Sequence, residues 1–296
     1  MLPVDWRKRS DGPAQAAERL APYTSWRIGG EAELFVAPRT RAELADVLGE
    51  LWRSGQRWRV LGGGSNLLIG DRGVTGVVLS LGRLDGIEVR ERSLVVEAGA
   101  PLHRVVRYAA TAGLAGTEPL AGIPGQLGGA IFGNAGGRHG AIGPLVKELE
   151  VVSPDGTRAF LQPGPDFFRY RKSAIGDRIV VAATLQLMPD AIAAVRERTR
   201  EIIRDRRASQ PGWVGNAGCV FKNPPGDNAG RLIDAAGCKG MRQGGIVVSP
   251  IHANFFENPE QEGRADDVLR LVERVRARVR RAFGVDLEWE VRRWMA

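Results

Sequence analysis

Cysteine, histidine and lysine are scarce in this 296-residue chain: two cysteines, three histidines, and only five lysines among 42 basic residues. Two cysteines, Cys219 and Cys238, make no disulfide framework, and a reduced, cytoplasmic protein is the expectation. Isolated histidines and distant cysteines give no ligand spacing, so no metal is expected. Aromatics are only 6%, and the basic residues behind the net charge of +8 are scattered along the chain. No nucleic acid is expected as a partner. Long apolar runs are missing as well. The longest uncharged stretch, Pro119 to Gly137, holds seven glycines and two prolines in its 19 residues, which suits loops and not a membrane span. The N-terminal residues lack the apolar core of a signal peptide, so no membrane is expected as a partner.

Glycine, by contrast, is abundant: 39 of 296 residues, nearly twice the usual share of roughly 7%. With no period of three, these glycines imply tight turns and close backbone approaches. The length suggests about two domains, and helical and strand patterns interleave throughout, so the class is α+β or α/β. Thr40 and Glu43 have the spacing of a capping box, and Leu44, Val47, Leu48 and Leu51 follow at helical spacing, predicting a helix over 41–54. A second, clearer helix is predicted over 264–283, with Val268, Leu271, Val272, Val275, Val279 and Phe283 on one side. Its first turn holds Asp266 and Asp267 and its last Arg280 and Arg281, which suits the macrodipole. Strands are predicted at 33–36, 58–61, 77–81, 94–98 and 179–187, with a hairpin around Ser153-Pro-Asp-Gly156. Residues 1–22 read as an arm or a first helix, and 287–292 as a closing strand.

Five constellations carry chemistry. Gly62, Gly63, Gly64, Ser65 and Asn66 follow a strand, and their backbone N–H groups suit a pyrophosphate; a tight strand-to-strand turn is the alternative. They form neither a Walker A loop nor G-x-G-x-x-G. In Ala121-Gly-Ile-Pro-Gly-Gln-Leu-Gly-Gly-Ala-Ile-Phe-Gly-Asn-Ala-Gly136, glycines recur within a would-be helix, where each costs about 1 kcal/mol relative to Ala. Either a planar cofactor approaches the backbone or the helix packs tightly. Phe168-Arg-Tyr-Arg171-Lys-Ser173 is weak alone. In Asn216-Ala-Gly-Cys-Val-Phe-Lys-Asn-Pro224, Cys219 is a core residue or a reactive one. In Leu287-Glu-Trp-Glu290-Val-Arg292, alternation exposes the glutamates or turns one toward a site.

Together, from about Thr24 to Arg292, these motifs resemble the UDP-N-acetylenolpyruvoylglucosamine reductase (MurB) family. Ala236-Gly-Cys-Lys-Gly-x-Arg-x-Gly-Gly245 and His252-Ala-Asn-Phe255 add to the match. The resemblance implies an α+β protein with a two-part FAD-binding region of the vanillyl-alcohol-oxidase (PCMH) type and a smaller α/β substrate-binding domain. Implied boundaries are an arm over 1–22 and an FAD-binding region over 23–205, in subdomains of about 23–85 and 86–205. A substrate-binding domain over 206–284 follows, then a strand over 285–296 returning to the active site. The implied cofactor is FAD, with NADPH as co-substrate. The implied partner is UDP-N-acetylglucosamine enolpyruvate, reduced to UDP-N-acetylmuramate in peptidoglycan precursor synthesis, and a monomer is expected.

By the same resemblance, hydride passes from reduced flavin to the enolpyruvyl C3. Arg171 stabilises the charge that develops, Glu290 positions or polarises the substrate carboxyl, and Cys219 protonates C2. Gly62 to Asn66, Gly122, Ile123, Gly125, Gly128 and Gly129 would bind the cofactor, and Asn223, Arg231 and Arg242 the UDP-sugar. Cys219 departs from the family's commoner serine; a thiol near pKa 8.5 is the stronger acid. The only tyrosines are Tyr23, Tyr108 and Tyr170. None lies between Arg171 and Cys219, where many members carry a loop tyrosine over the substrate, so the chain resembles the shorter, type II branch. The alternative is another FAD-dependent oxidoreductase of the same fold, such as an alcohol or lactone oxidase. That leaves the Lys-Asn-Pro segment and Glu290 unaccounted for, and His103, His139 and Cys219 sit in no recognisable flavin-attachment motif.

Overall fold

Thr40 stops the chain in extended conformation, and its side-chain oxygen accepts the Glu43 N–H at 3.1 Å. Glu43 closes the return bond one residue early, accepting the Arg39 N–H at 2.7 Å. The helix Arg41–Arg53 follows, with Leu44, Val47, Leu48 and Leu51 buried. The computed structural model describes residues 14–212 and 215–295. These fall into two compact units that are not contiguous in sequence: 14–16, Leu34–Gly63 and Gly76–Arg206 in the first, Ala17–Glu33, Gly64–Thr75, 207–212 and 215–295 in the second.

The first unit is built on a five-stranded antiparallel sheet, in the order Arg158–Leu161, Val146–Val152, Ile179–Gln186, Ser93–Glu97, Ile87–Arg90. The 153–157 turn joins the first two strands as expected: Ser153 N–H donates to Thr157 O at 2.8 Å, and Gly156 takes φ +89°. Pro101 precedes the helix Leu102–Thr111, whose Leu102, Val105, Val106 and Ala109 are buried. The strand Trp58–Leu61 runs parallel to residues 77–80 of Val74–Ser80 and leads into the triple glycine.

The second unit gathers Trp26, Ile28 and Leu68 from its two early segments with the C-terminal part. The helix Ala265–Phe283 buries Val268, Leu271, Val272, Val275 and Val279, each worth roughly 1.5–3 kcal/mol. It lies beside a small antiparallel sheet, Arg242–Gln243, Ile246–Val248 and Phe256–Glu257. Trp26 Nε1 donates to Phe256 O at 2.7 Å, and Asn258 Nδ2 to Trp26 O at 2.9 Å, so the early segment is tied down by polar bonds as well as apolar burial.

Three expectations need correction. Residues 14–19 form a strand, not a helix, while the first 13 residues lie outside those described. The closing strand is Arg292–Trp294, parallel to Leu67–Ile69. Leu287 and Val291 are buried as their alternation requires, but that stretch forms an isolated bridge at Trp289 and not a strand. Phe283 is 40% exposed, because its helix ends there on Gly284 at φ +69°.

Candidate active site

The glycine clusters of the first unit make close backbone approaches. A Cβ on Gly63 would come within 2.9 Å of Gly125 Cα. Gly122 and Gly125 sit at φ +75° and +103°, a region that favours glycine. Gly125 O accepts the Leu102 N–H at 3.0 Å, and Ile123 N–H closes a turn on Leu120 O. The helix Leu127–Phe132 then carries two adjacent glycines in opposite environments. A Cβ on Gly128 would overlap Ala98 Cβ at 2.9 Å, so this glycine serves packing; one on Gly129 would meet nothing within 4 Å.

Gln126 lies at the head of that helix. Built Cβ atoms on Gly62 and Gly82 would lie 3.7 Å from its Oε1 and 3.5 Å from its Nε2. Oε1 is buried without a hydrogen-bond partner, which costs free energy unless something else binds it. An orphaned amide oxygen beside glycine turns and a helix face cleared of Cβ fit the polar edge and flat body of a flavin. Residue type alone does not mark Gln126; its signal is its place directly after Gly125, whose φ is +103°.

Arg171 stands at the tip of a two-residue hairpin between Phe168–Arg169 and Lys172–Ser173. Its φ is +55°, where glycine or asparagine is the favoured turn residue. Strained backbone of this kind clusters at functional sites. Ser173 Oγ donates to Phe132 O at 2.8 Å, and Asn134 Nδ2 to Arg169 O at 3.0 Å, tying the hairpin to the end of the glycine helix. The Arg171 guanidinium donates to Gly136 O at 2.9 Å and lies 5.4 Å from the Tyr170 ring centroid. Arg206, which the sequence hid in an arginine-dense helix, donates to Pro119 O at 3.1 Å. Burial first, and then the charges of Arg138 and Arg171, hold it below the usual arginine range. Asp205 pairs with Arg138 at 2.9 Å, and the remaining excess of guanidinium round Arg171 suits a carboxylate or phosphate.

Cys219 and Glu290 belong to the second unit. Both are half-buried, and Gly218 before Cys219 has φ +75°. Cys219 pairs with Phe255 in a lone antiparallel bridge, and Glu290 N–H donates to Val220 O at 2.8 Å. The two side chains thus issue from adjacent backbones joined at Val220. Asn66 holds the far side of this stretch: its Nδ2 donates to Glu290 O at 3.3 Å and its carbonyl accepts the Arg292 N–H at 3.1 Å. Gly64, at φ +58°, would push a Cβ into Tyr23 O, and its own carbonyl accepts the Ser25 N–H at 3.2 Å. Ser65 lies between Gly64 and Asn66 in this unit.

The three expected UDP-sugar contacts are exposed and engaged unequally. Asn223 Oδ1 accepts the Ala229 N–H at 3.0 Å, capping the helix Ala229–Ala235. Arg242 lies in a two-residue strand, its carbonyl taken by Arg274. Arg231 is committed to Asp227, donating through Nε at 2.7 Å and also through Nη2. Arg231 and then the Asn228 N–H pull the Asp227 carboxyl down to about 2 from 3.8. A lowered pKa of this kind stabilises the fold above the ordinary value, and the contribution is lost as pH falls through about 2. Arg231→Ala is expected to return the Asp227 midpoint toward 3.8, read by carboxyl NMR; an unmoved midpoint would show that the pair is not formed in solution. Among the described residues, no three His, Cys, Asp or Glu side chains are placed to hold a metal, and no helix is long and apolar enough to cross a membrane.

Comparison with known proteins gives the family. Residues 32–161 match a family model described as an FAD binding domain. Residues 210–294 match one described as the C-terminal domain of UDP-N-acetylenolpyruvoylglucosamine reductase. Proteins of that name from Moorella thermoacetica and Halalkalibacterium halodurans are 44% and 37% identical to this chain. They align over 94% and 95% of it and over 92% and 94% of their own lengths. The crystal structure of UDP-N-acetylenolpyruvylglucosamine reductase from Thermus caldophilus superposes with a TM-score of 0.82 at 37% identity, covering 95% of this chain and 98% of that one. Identity at this level over nearly the whole of both chains places the protein in the UDP-N-acetylenolpyruvoylglucosamine reductase family.

Proposed function

We propose that the enzyme reduces UDP-N-acetylglucosamine enolpyruvate to UDP-N-acetylmuramate with NADPH, through bound FAD, as a cytoplasmic step of peptidoglycan precursor synthesis. The observation that carries the reading is the backbone bond joining Glu290 to Val220, which sets a carboxylate and a thiol on adjacent backbone segments. Bound FAD would supply hydride chemistry at the enolpyruvyl C3, with NADPH as the reductant. Gly62, Gly63, Gly122, Ile123, Gly125 and Gly129 would hold FAD, with the buried Gln126 Oε1 as a hydrogen-bond acceptor, while Gly128 serves the packing against Ala98.

As C3 gains its hydrogen, the C2=C3 electron pair moves onto C2 and into the carboxylate. Arg171 stabilises that charge with a guanidinium held by Gly136 O; removing one fixed donor of this kind costs roughly 10²–10³ in rate. Cys219 Sγ gives its proton to C2, and the thiolate regains one from solvent. Glu290 orients the substrate carboxyl. Arg242 and the exposed Asn223 remain available to the UDP-sugar, whereas Arg231 would first have to leave Asp227. The test is NADPH oxidation at 340 nm by the flavin-loaded protein, with and without UDP-N-acetylglucosamine enolpyruvate. Substrate-dependent oxidation is expected. A flavin-loaded protein that the substrate does not stimulate would move the assignment to another FAD-dependent oxidoreductase of this fold.

A further inference from the structure

We propose that Asn254 is the positioning residue for Cys219, holding the Cys219–Phe221 backbone in register with the chain at Glu290. The inference rests on the reading of Cys219 as proton donor. Asn254 is 1% exposed, an uncommon place for an asparagine, and a buried amide has to find partners for both its ends. Both ends go to one residue. Oδ1 accepts the Phe221 N–H at 2.9 Å and Nδ2 donates to Phe221 O at 2.8 Å. The side chain thus does for Phe221 what a neighbouring strand would do. The Asn254 carbonyl takes the next donor, the Val220 N–H, at 2.8 Å.

This matters because the segment has no continuous ladder. Cys219 and Phe221 each form one isolated bridge, to Phe255 and Trp289. On the other edge, Val220 O accepts from Glu290 N–H at 2.8 Å, and Lys222 N–H donates to Glu288 O at 2.9 Å. Val220 therefore lies between Asn254 on one side and Glu290 on the other. Asn254 is itself held: its N–H donates to His252 Nδ1 at 3.2 Å, and the His252 ring packs on Phe255 with centroids 4.9 Å apart. Without the amide, the buried N–H and C=O of Phe221 lose their partners, and the strip must shift to find others. Cys219 is two residues away, and a displacement of about 1 Å at a reacting group can cost roughly 10²-fold in rate.

The test uses the FAD-loaded enzyme and rapid mixing, which separates flavin reduction by NADPH from reoxidation by UDP-N-acetylglucosamine enolpyruvate. Only reoxidation needs Cys219. Asn254→Asp is isosteric and keeps the acceptor for Phe221 N–H while losing the donor to Phe221 O; Asn254→Ala loses both. Asn254→Asp is expected to bind FAD, to reduce it within about twofold of the wild-type rate, and to slow reoxidation at least about tenfold. In a Cys219→Ala background the same substitution should add less than about twofold, because residues acting as a unit are not additive. Wild-type reoxidation in an FAD-loaded Asn254→Asp would overturn the proposal. So would equal slowing of both half-reactions in whichever variant retains FAD, or a full multiplicative loss in the Cys219→Ala background. Wild-type reoxidation by Cys219→Ala alone would fell the donor reading, and the proposal with it, and is told apart by that single variant.

Discussion

Cys219→Ala is expected to lower the rate at which UDP-N-acetylglucosamine enolpyruvate reoxidises the flavin by roughly 10²–10⁴, the usual contribution of a positioned proton donor. FAD content and flavin reduction by NADPH should be unchanged, since the substitution trims one half-buried atom from a loop of the second unit. Cys219→Ser should fall between: its hydroxyl can still donate, but it is a much weaker acid than a thiol near 8.5 and it is smaller. A thiol also brings a liability that a hydroxyl lacks, because it can be alkylated or oxidised. Alkylation should therefore abolish turnover in the wild type and leave Cys219→Ser untouched. Cys238 will not confuse the result. It is fully buried, and burial pushes its thiol up, away from the reactive thiolate. Equal inactivation of wild type and Cys219→Ser would place the sensitive group elsewhere and remove the donor assignment.

Helices whose burial pattern is regular could be read from the chain almost to the residue. The apolar stripe of Ala265–Phe283 and the Thr40 cap of Arg41–Arg53 are local facts, set by residues three and four apart. What could not be read are features made by distant partners. Leu67–Ile69 is a three-residue buried run with no alternation, and it is a strand only because Arg292–Trp294 lies beside it. The early segment around Trp26 belongs with the C-terminal part because Phe256 and Asn258 bond to it, more than two hundred residues later. The motif residues were visible as types and spacings, but their duties were not. Arg231 is implied as a UDP-sugar contact by its motif position, whereas its guanidinium is bonded to Asp227. The glycines of the 121–136 block were visible as an anomaly, yet nothing local distinguishes one that packs from one that leaves space.

That distinction makes a prediction of opposite signs at adjacent positions. Gly128→Ala should destabilise the protein with or without flavin, because its Cβ would sit 2.9 Å from Ala98 Cβ and 3.3 Å from Ala98 O. Overpacking of this kind costs about 1–3 kcal/mol. The Cβ of Gly129→Leu would meet nothing within 4 Å, and replacing a helical glycine by a strong helix former gains roughly 1 kcal/mol. The flavin-free protein should therefore become more stable, with a thermal midpoint higher by about 2–4 °C. The same side chain would fill the space assigned to FAD. Wild-type protein at a hundredfold excess of FAD over Kd should gain about 2.7 kcal/mol from the ligand, whereas Gly129→Leu should gain little and should purify without absorbance near 450 nm. If Gly129→Leu instead retains its flavin and the FAD-dependent shift, this helix face does not meet the cofactor. The cleared Cβ would then need another explanation, and Gln126 Oε1 another partner.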